Sequence, residues 1–352
     1  MDLVKEVLSG SRLALARLLT QVENDTPEGR QALNSLFPYT GRAHLIGVTG
    51  APGTGKSSLV GRLAQAFRAE GGPQAPRVGI IAVDPTSPFS GGAILGDRVR
   101  MRDLAGDEGI FIRSMASRGA LGGLARATAG AVQVLDAAGY GVILIETVGA
   151  GQSEVDIARL AHTVIVVEAP GLGDDIQAIK AGILEIADIL VVNKADLPGA
   201  DQAVRALRSM LDLAHPARLM RGGCDARELA LAAGNGNGHG GHSGGNGSHG
   251  GAAGAALSVW EPPVLKTSAP LNEGIAEVVA AIRAHRQYLQ ASGELQRREM
   301  ERLQNCLDRL LQETLVERWW SGVSRETYAE VLERLAGRNL TPYEAVEELL
   351  KP

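Results

Sequence analysis

Residues 50–57 have the composition and the spacing of a phosphate-binding loop. Their sequence, GAPGTGKS, matches the pattern GxxxxGK[ST] at every fixed position. Glycines in such a loop let backbone N–H groups converge on phosphate oxygens, and the N-terminus of a following helix adds positive charge. We expect Lys56 to reach the β- and γ-phosphates and the Ser57 hydroxyl to bind Mg²⁺. The segment predicts a nucleoside triphosphate site with the contacts Gly50, Ala51, Pro52, Gly53, Thr54, Gly55, Lys56, Ser57 and Ser58.

A second motif, NKAD at residues 193–196, indicates which base the site selects. Guanine presents two adjacent donors, N1–H and the 2-amino group, and the carboxylate of Asp196 can accept from both. Adenine lacks this pair of donors, and the mismatch of hydrogen-bonding groups discriminates strongly. We expect Asn193 to fix the loop, the Lys194 stem to cover the ring, and the later segment TSAP to bring a backbone group to guanine O6. The predicted contacts in that segment are Ser268, Ala269 and Pro270.

Acidic residues at predicted strand ends are candidate Mg²⁺ ligands. Asp84 ends one apolar run, Glu146 ends another and opens the sequence ETVG, and Asp97 lies in the glycine-rich segment GGAILGDR. Acids at the carboxyl ends of strands beside a phosphate loop bind Mg²⁺ directly or through water. Most GTPases have Asp where Glu146 stands, and the Gly149 amide is expected to begin a switch that senses the γ-phosphate. The predicted metal ligands are Ser57, Asp84, Asp97 and Glu146, and the predicted catalytic residues are Lys56, Asp97 and Glu146.

Short apolar runs alternate with Ala/Leu-rich segments in the region that carries these motifs. Strands that alternate with helices predict an α/β fold with a doubly wound, mostly parallel sheet. Near-continuous apolar strands fit burial on both faces, and ligands in such sheets bind at the carboxyl ends of the strands. The predicted strands are residues 45–48, 78–83, 142–145, 163–169 and 188–192, with two more in GIFIRS and VWEPPVLK, and the predicted helices are residues 57–69, 120–138 and 174–187.

Helical patterns flank this predicted core on both sides. Residues 1–40 have apolar residues at helical spacing, and a long helical pattern runs from residue 273 towards residue 319, before a helical hairpin at about 325–351. A low-complexity tract at residues 234–254, with 11 Gly and 3 His in 21 positions, predicts a disordered insertion. The predicted domains are an N-terminal helical segment at 1–42, a P-loop domain at 43–285 that contains this tract, and a C-terminal helical region at 286–352.

Composition and charge argue against several other classes of protein. The 352 residues include 35 basic and 40 acidic side chains, and the net charge of −5 gives no electrostatic footprint for nucleic acid. The two cysteines cannot make a disulfide framework. The N-terminus lacks the apolar region of a signal peptide, and no run approaches the roughly 18 apolar residues of a membrane span. We therefore expect a cytoplasmic protein with no nucleic-acid partner and no membrane partner.

Longer strings around these motifs resemble the MeaB/ArgK family, the GTPases associated with methylmalonyl-CoA mutase. The strings are VDPTSP at residues 83–88, SGGAILGDRVRM at 90–101, ETVGAGQSE at 146–154 and GDDIQAIKAG at 173–182. The resemblance covers nearly the whole chain and implies a Mg²⁺-dependent GTPase that forms a homodimer through its C-terminal helices. It also implies a third switch near residues 171–180, with the polar contacts Asp174, Gln177 and Lys180.

In function, the resemblance implies a GTP-hydrolysing chaperone for an adenosylcobalamin-dependent acyl-CoA mutase. Such a chaperone protects the mutase and gates the loading or release of its cofactor. Cobalamin itself is expected on the mutase, because no segment of this chain resembles a DxHxxG-type cobalamin site. Methylmalonyl-CoA mutase is the family default, and mutases for isobutyryl- and 2-hydroxyisobutyryl-CoA have similar companions.

Two other functions stay open at this point. Related GTPases insert nickel into metalloenzymes, and His239, His242 and His249 of the low-complexity tract could weakly bind a divalent transition metal. A metallochaperone needs a metal site coupled to its nucleotide switches, however, and residues 45–161 contain neither Cys nor His. The second alternative is a kinase that uses the phosphate loop, as the ArgK label indicates, but a kinase often prefers ATP, whereas Asp196 favours guanine.

Overall fold

The chain forms two compact units, Met1–Arg298 and Glu299–Pro352. The computed structural model describes residues 2–70, 72–85, 104, 106–117, 123–147, 159–171, 186–214 and 259–350. Helices and strands are numbered along these described residues. All residues that are predicted to contact the nucleotide belong to the first unit.

A parallel sheet of seven strands is the centre of the first unit. The strands are β1 (His44–Thr49), β2 (Val78–Pro85), β3 (Ile110–Ser117), β4 (Val142–Thr147), β5 (Thr163–Glu168), β6 (Ile189–Val192) and β7 (Val264–Lys266). They lie in the order β3-β2-β4-β1-β5-β6-β7, and every neighbouring pair is parallel. The connection that follows β1 leads to β2 on one side of it, whereas β5 and the later strands lie on its other side. Doubly wound sheets bind ligands at the point where the direction of the connections reverses in this way. The predicted fold class is confirmed.

Apolar side chains and helices cover both faces of the sheet. Successive side chains of a strand point to opposite faces, so Val164 and Leu190 pack in one cluster while Ile165 and Ile189 pack in another. Helices α4 (Lys56–Glu70) and α7 (Ile275–Ser292) cover one face, and helices α5 (Gly123–Ala137) and α6 (Ala200–Ala214) cover the other together with the N-terminal helices. Burial on both faces explains why the strands are apolar at nearly every position.

Three short helices precede the sheet where the apolar spacing predicts one amphipathic helix. They are α1 (Leu3–Leu8), α2 (Arg12–Glu23) and α3 (Pro27–Leu36). Gly10 and Asp25 have φ angles of 92° and 54°, which a continuing helix does not allow. The side chains of Ser11 and Thr26 then cap the next helix by accepting a hydrogen bond from a backbone N–H three residues ahead. The apolar spacing continues across both breaks, so it does not reveal them.

Helices α8 (Glu294–Gly322), α9 (Arg325–Ala336) and α10 (Pro342–Leu349) complete the chain. Gly293, with a φ angle of 78°, separates α7 from α8 where the sequence pattern predicts one continuous helix. Within the second unit, the indole N–H of Trp319 donates to the carbonyl oxygen of Leu349 at 2.8 Å and joins α8 to α10. Helix α10 begins with Pro342 behind a capping box at Thr341, as the sequence predicts for a helix start.

A buried polar network lies at the amino-terminal edge of the sheet, opposite the strand ends that carry the motifs. His44 Nε2 is 2.8 Å from Thr163 Oγ1, which is 2.9 Å from His285 Nδ1. Asp188 precedes β6, lies 3.2 Å from His285 Nε2 and accepts two hydrogen bonds of 2.8 Å from Arg298. Burial holds the pKa of His44 well below its ordinary value, so this ring stays neutral. Burial alone would raise the pKa of Asp188, but the close contact with His285 and the hydrogen bonds from Arg298 outweigh it and lower that pKa.

Replacing the carboxylate of this network is expected to destabilise the fold in a pH-dependent way. Asp188→Asn should lower the free energy of unfolding by about 3 kcal/mol at pH 7, because Arg298 loses the anion with which it pairs. The folded-state pKa of Asp188 is depressed, so its stabilisation is present above the ordinary value of about 4 and is lost as the pH falls further. Urea unfolding between pH 7 and pH 3 measures this. The difference in the free energy of unfolding between the variant and the wild type should become smaller in acid, and a difference that does not change with pH would contradict the prediction. Asp308→Asn, which replaces an exposed aspartate, is the control.

The domain limits drawn from the sequence stay a prediction. The division between the two units falls after Arg298, and residue 285 lies inside α7. The Gly/His tract at 234–254 and nearly all of the predicted helix at 174–187 lie outside the described residues. Among the helices that the structure describes, none combines the length and the apolar character that a membrane span requires.

Candidate nucleotide-binding site

The phosphate loop connects β1 to α4 at the carboxyl edge of the sheet. Gly50, Gly53 and Gly55 have φ angles of 135°, 81° and 87°, a region that favours glycine. A Cβ on Gly50 would lie 2.0 Å from the carbonyl oxygen of Val167, and one on Gly55 would lie 2.5 Å from Asn193 Nδ2. Both the backbone path and the close neighbours therefore require glycine at these two positions.

The side chain of Lys56 lies back across this loop. Its Nζ donates to the carbonyl oxygens of Gly50 and Ala51, both at 2.8 Å, and the residue is only 5% exposed. Thr54 is buried and donates through its hydroxyl to the carbonyl oxygen of Ala51 at 2.9 Å. The ammonium group is thus held against the phosphate-loop backbone, where it can stabilise the charge of bound phosphates. Pro52 and Ser58 complete the predicted contacts in the loop and in the first turn of α4.

Ser57 and Glu146 meet beside the phosphate loop. The Ser57 hydroxyl donates to Glu146 Oε1 at 2.5 Å, and both residues are buried. Strand β4 pairs with β1 so that Glu146 lies opposite Val48, just before the loop begins. Parallel pairing therefore brings the acid at the end of β4 to the first turn of α4, and it places two oxygen ligands of the kind that Mg²⁺ prefers side by side.

Of the other predicted metal and switch residues, the structure describes only the backbone of Asp84. The backbone of Asp84 follows Val83, which pairs with Thr147 of β4, so Asp84 lies at the same edge of the sheet as Glu146. Within the ranges that the structure describes, no group of three or more His, Cys, Asp or Glu residues is arranged to hold a metal ion. The predicted residues outside those ranges are Asp97, Gly149, Asp174, Gln177 and Lys180.

Asn193 joins the phosphate loop to the loop at residues 267–270. Its Nδ2 donates to the carbonyl oxygen of Thr54 at 2.8 Å. Its Oδ1 accepts from the Thr267 hydroxyl at 3.1 Å and from the Ala269 N–H at 3.3 Å. Because the residue is only 1% exposed and all these partners are backbone groups or a short side chain, the two loops are held at a fixed spacing.

The carboxylate of Asp196 is exposed but held in place. The hydroxyl of Ser268 donates to Asp196 Oδ1 at 2.6 Å, which orients the carboxylate without covering it. Lys194 has a φ angle of 57°, and its Cε lies 3.9 Å from the position that a Cβ on Gly55 would take. The Lys194 stem therefore runs beside the phosphate loop, next to the carboxylate that the sequence predicts to select guanine.

Arg62 contacts the same region, although no sequence motif marks it. It lies in the second turn of α4, and its Nε donates to the carbonyl oxygen of Ala269 at 2.8 Å. Its Nη2 is 3.5 Å from the carbonyl oxygen of Pro270. An arginine within an amphipathic helix is usually a solvated side chain, and only the packing of α4 against the loop reveals this contact.

One edge of the sheet thus carries a phosphate loop, a buried Ser–Glu pair and an exposed carboxylate joined through Asn193. The family model described as methylmalonyl Co-A mutase-associated GTPase MeaB matches residues 15–324 of the chain. The chain belongs to the MeaB family. The resemblance found in the sequence is confirmed, and this MeaB-family protein is a GTPase.

Relatives match the MeaB-family chain over most of its length. A Pyrococcus abyssi protein that carries the word GTPase in its name is 41% identical over 99% of this chain and 95% of its own. The Caenorhabditis elegans protein named methylmalonic aciduria type A homolog, mitochondrial, is 30% identical over 87% of this chain and 70% of its own. Among solved structures, the LAO/AO transport system kinase is 26% identical, with a TM-score of 0.64 over 99% of this chain and 95% of its own.

Proposed function

We propose that this MeaB-family GTPase is a chaperone of an adenosylcobalamin-dependent acyl-CoA mutase. It protects the mutase and gates the loading or release of the cobalamin cofactor, which is bound by the mutase. The observation that supports a GTP-driven role is the link through Asn193, which holds the phosphate loop and the loop beside Asp196 in one site. The association with methylmalonyl-CoA mutase is carried over from the description of the family.

In this proposal, GTP lies across the carboxyl edge of the sheet with Mg²⁺ beside its phosphates. Ser57 and Glu146 would hold the ion, because two buried oxygen ligands 2.5 Å apart at the foot of a phosphate loop suit a hard cation. Mg²⁺ held there would supply positive charge to offset the negative charge of the phosphates. Lys56 adds a second positive charge there, and Asp84 and Asp97 are the further ligands that we propose.

The proposed switch consists of segments that respond to the γ-phosphate. Gly149 would bind it through its backbone N–H, and Asp97 lies in a second such segment. The third segment spans residues 171–180, with Asp174, Gln177 and Lys180 as its polar contacts. GTP would order these segments and hydrolysis would release them, which is how a nucleotide state is passed to a partner.

The proposed assembly is a homodimer formed through the second unit. Four residues of α8 recur at the spacing of one helical face and are 55–66% exposed: Met300, Leu307, Leu311 and Leu315. A long apolar face of this kind is stabilised by burial against another helix. A second copy of the chain presents the same face, and two-fold symmetry lets the two faces pair.

GTP turnover in the presence of a purified acyl-CoA mutase tests the proposed function. Methylmalonyl-CoA mutase should raise the rate of GTP hydrolysis by at least about tenfold, because a partner can supply groups that stabilise the transition state. The chain with GTP should also slow the loss of mutase activity during turnover. Parallel assays with the isobutyryl- and 2-hydroxyisobutyryl-CoA mutases identify the partner.

These assays, together with a measurement of nickel binding, distinguish the nickel-insertion alternative. No change in turnover with any mutase would contradict the chaperone proposal. Tight nickel binding that disappears when His239, His242 and His249 are replaced by alanine would then favour a metallochaperone.

A further inference from the structure

We infer that Arg62 is a positioning residue for guanine recognition and acts through the loop at residues 267–273. It does so from α4, the helix that also begins with Lys56 and Ser57. The guanidinium reaches the loop with two of its nitrogens, Nε at 2.8 Å from the Ala269 carbonyl oxygen and Nη2 at 3.5 Å from that of Pro270. The inference rests on the proposed guanine site and names a further residue on which its selectivity depends.

The loop is held from two sides. On the side of the NKAD motif, Ala269 donates its N–H to Asn193 Oδ1, and Ser268 donates its hydroxyl to Asp196 Oδ1. On the other side, the Ala269 carbonyl oxygen accepts from Arg62 at 2.8 Å. In the described part of the chain, the backbone N–H of Asn272 also points at this oxygen, but from 3.4 Å, a longer and weaker contact. Of these two contacts to the Ala269 carbonyl oxygen, the hydrogen bond from Arg62 is therefore the stronger.

Fixing the carbonyl group of Ala269 also fixes what its neighbours present to a base. Ala269 is held at its N–H by Asn193 and at its carbonyl oxygen by Arg62, so both of its backbone dihedrals are restrained. Ser268, which precedes it, orients the carboxylate of Asp196. Without Arg62, the loop keeps its contacts to the NKAD side and its internal backbone hydrogen bonds between Ser268 and Glu273, but it loses its attachment to α4 and gains freedom to move away from the base. Base recognition should therefore weaken, because the contacts that Arg62 makes outside its own helix are with this loop.

The chemistry of arginine suits this position better than that of lysine. A guanidinium is planar and holds several N–H donors in a fixed geometry. It can therefore donate hydrogen bonds to two successive carbonyl oxygens and to a third group as well. Here the third group is Gln65 Oε1 of the same helix, which accepts from Arg62 Nη1 at 3.2 Å. A lysine ammonium would keep the charge but could not hold the same set of donors in one plane.

The experiment compares the affinities of GDP and ADP for the full chain by calorimetry, with ADP measured by competition where it binds weakly. Arg62→Met keeps a long apolar stem and removes every donor. We expect it to weaken GDP binding about ten- to hundredfold, because the loss of hydrogen bonds from a charged donor has an effect of this size. ADP binding should change by less than about twofold. Arg62→Lys should give an intermediate preference for GDP. Gln65→Ala, which removes only the contact within α4, is the matched control and should keep the wild-type preference.

Each outcome decides either the inference or the site on which it rests. A wild-type chain that binds GDP and ADP equally well would refute the proposed guanine site itself. A preference for GDP that is as large in Arg62→Met as in the wild type would overturn the inference and leave the site standing. Equal weakening of GDP and ADP would also overturn it, because Arg62 would then only stabilise α4. If thermal melting shows that Arg62→Met does not fold, the GDP preference of Arg62→Lys decides in the same way.

Discussion

Lys56→Ala is expected to lower the kcat of GTP hydrolysis by about a thousandfold or more. The Lys56 ammonium is held against the phosphate loop by the carbonyl oxygens of Gly50 and Ala51, so its charge is in place before the nucleotide reacts. Charge that is positioned in advance in a largely buried site lowers the barrier most where negative charge grows in the transition state. Single-turnover hydrolysis, with the protein in excess over GTP and above the Kd, measures the chemical step without interference from product release.

Two controls separate this effect from a loss of folding. Lys5→Ala removes an exposed lysine of α1 and should leave the rate unchanged. Thermal unfolding of the Lys56→Ala protein without nucleotide should show that the variant is folded, although the loss of the hydrogen bonds to Gly50 and Ala51 lowers its stability. Hydrolysis at the wild-type rate would refute the assignment of this segment as the phosphate loop.

The phosphate loop could be predicted from the sequence because its chemistry is local. Gly50, Gly55 and Lys56 fall within seven consecutive residues, and their spacing follows from how backbone N–H groups surround a phosphate. The parallel sheet could be predicted for a related reason. Strands that are buried on both faces must be apolar throughout, and that pattern is visible without knowing which strands pair.

The buried network at the opposite edge could not be predicted in this way. Asp188 and Arg298 are 110 residues apart, and His44 and Thr163 are 119 residues apart. Each is a common polar residue that lies at the start of a predicted strand, beside one, or within a predicted helix, and nothing local marks it as buried. Only the strand order, which brings the starts of β1, β5 and β6 together, makes these residues neighbours.

Arg62 shows the same limit within the candidate site. Its partners, Ala269 and Pro270, follow more than 200 residues later in the chain. They are also backbone carbonyl groups, so no residue type at those positions signals the contact. The helix breaks at Gly10 and Gly293 were missed for another reason: an apolar pattern reports which face is buried, but not where a backbone turns.

Asp196→Asn is expected to reverse the base preference of the site from guanosine to xanthosine nucleotides. In the wild type, both oxygens of the carboxylate can accept, which matches the N1–H and 2-amino donors of guanine. An asparagine side chain places a donor where one of these acceptors stood, and it would face the 2-amino group donor to donor. GDP affinity should fall about a thousandfold or more, because a mismatch of this kind leaves polar groups unpaired in the complex.

Xanthine has a carbonyl oxygen in place of the 2-amino group, and this oxygen can accept a hydrogen bond from the side-chain N–H of the asparagine. The Ser268 hydroxyl favours this arrangement, because it donates to Oδ1 and would keep the amide oxygen there, leaving the nitrogen to face the base. XDP should therefore bind the variant at least about tenfold more tightly than GDP does. Asp201→Asn, an exposed aspartate on α6 that pairs with Lys266, is the control and should keep the preference for GDP. Competition binding with GDP, XDP and ADP measures the order, and a variant that still prefers GDP would show that Asp196 does not read the base.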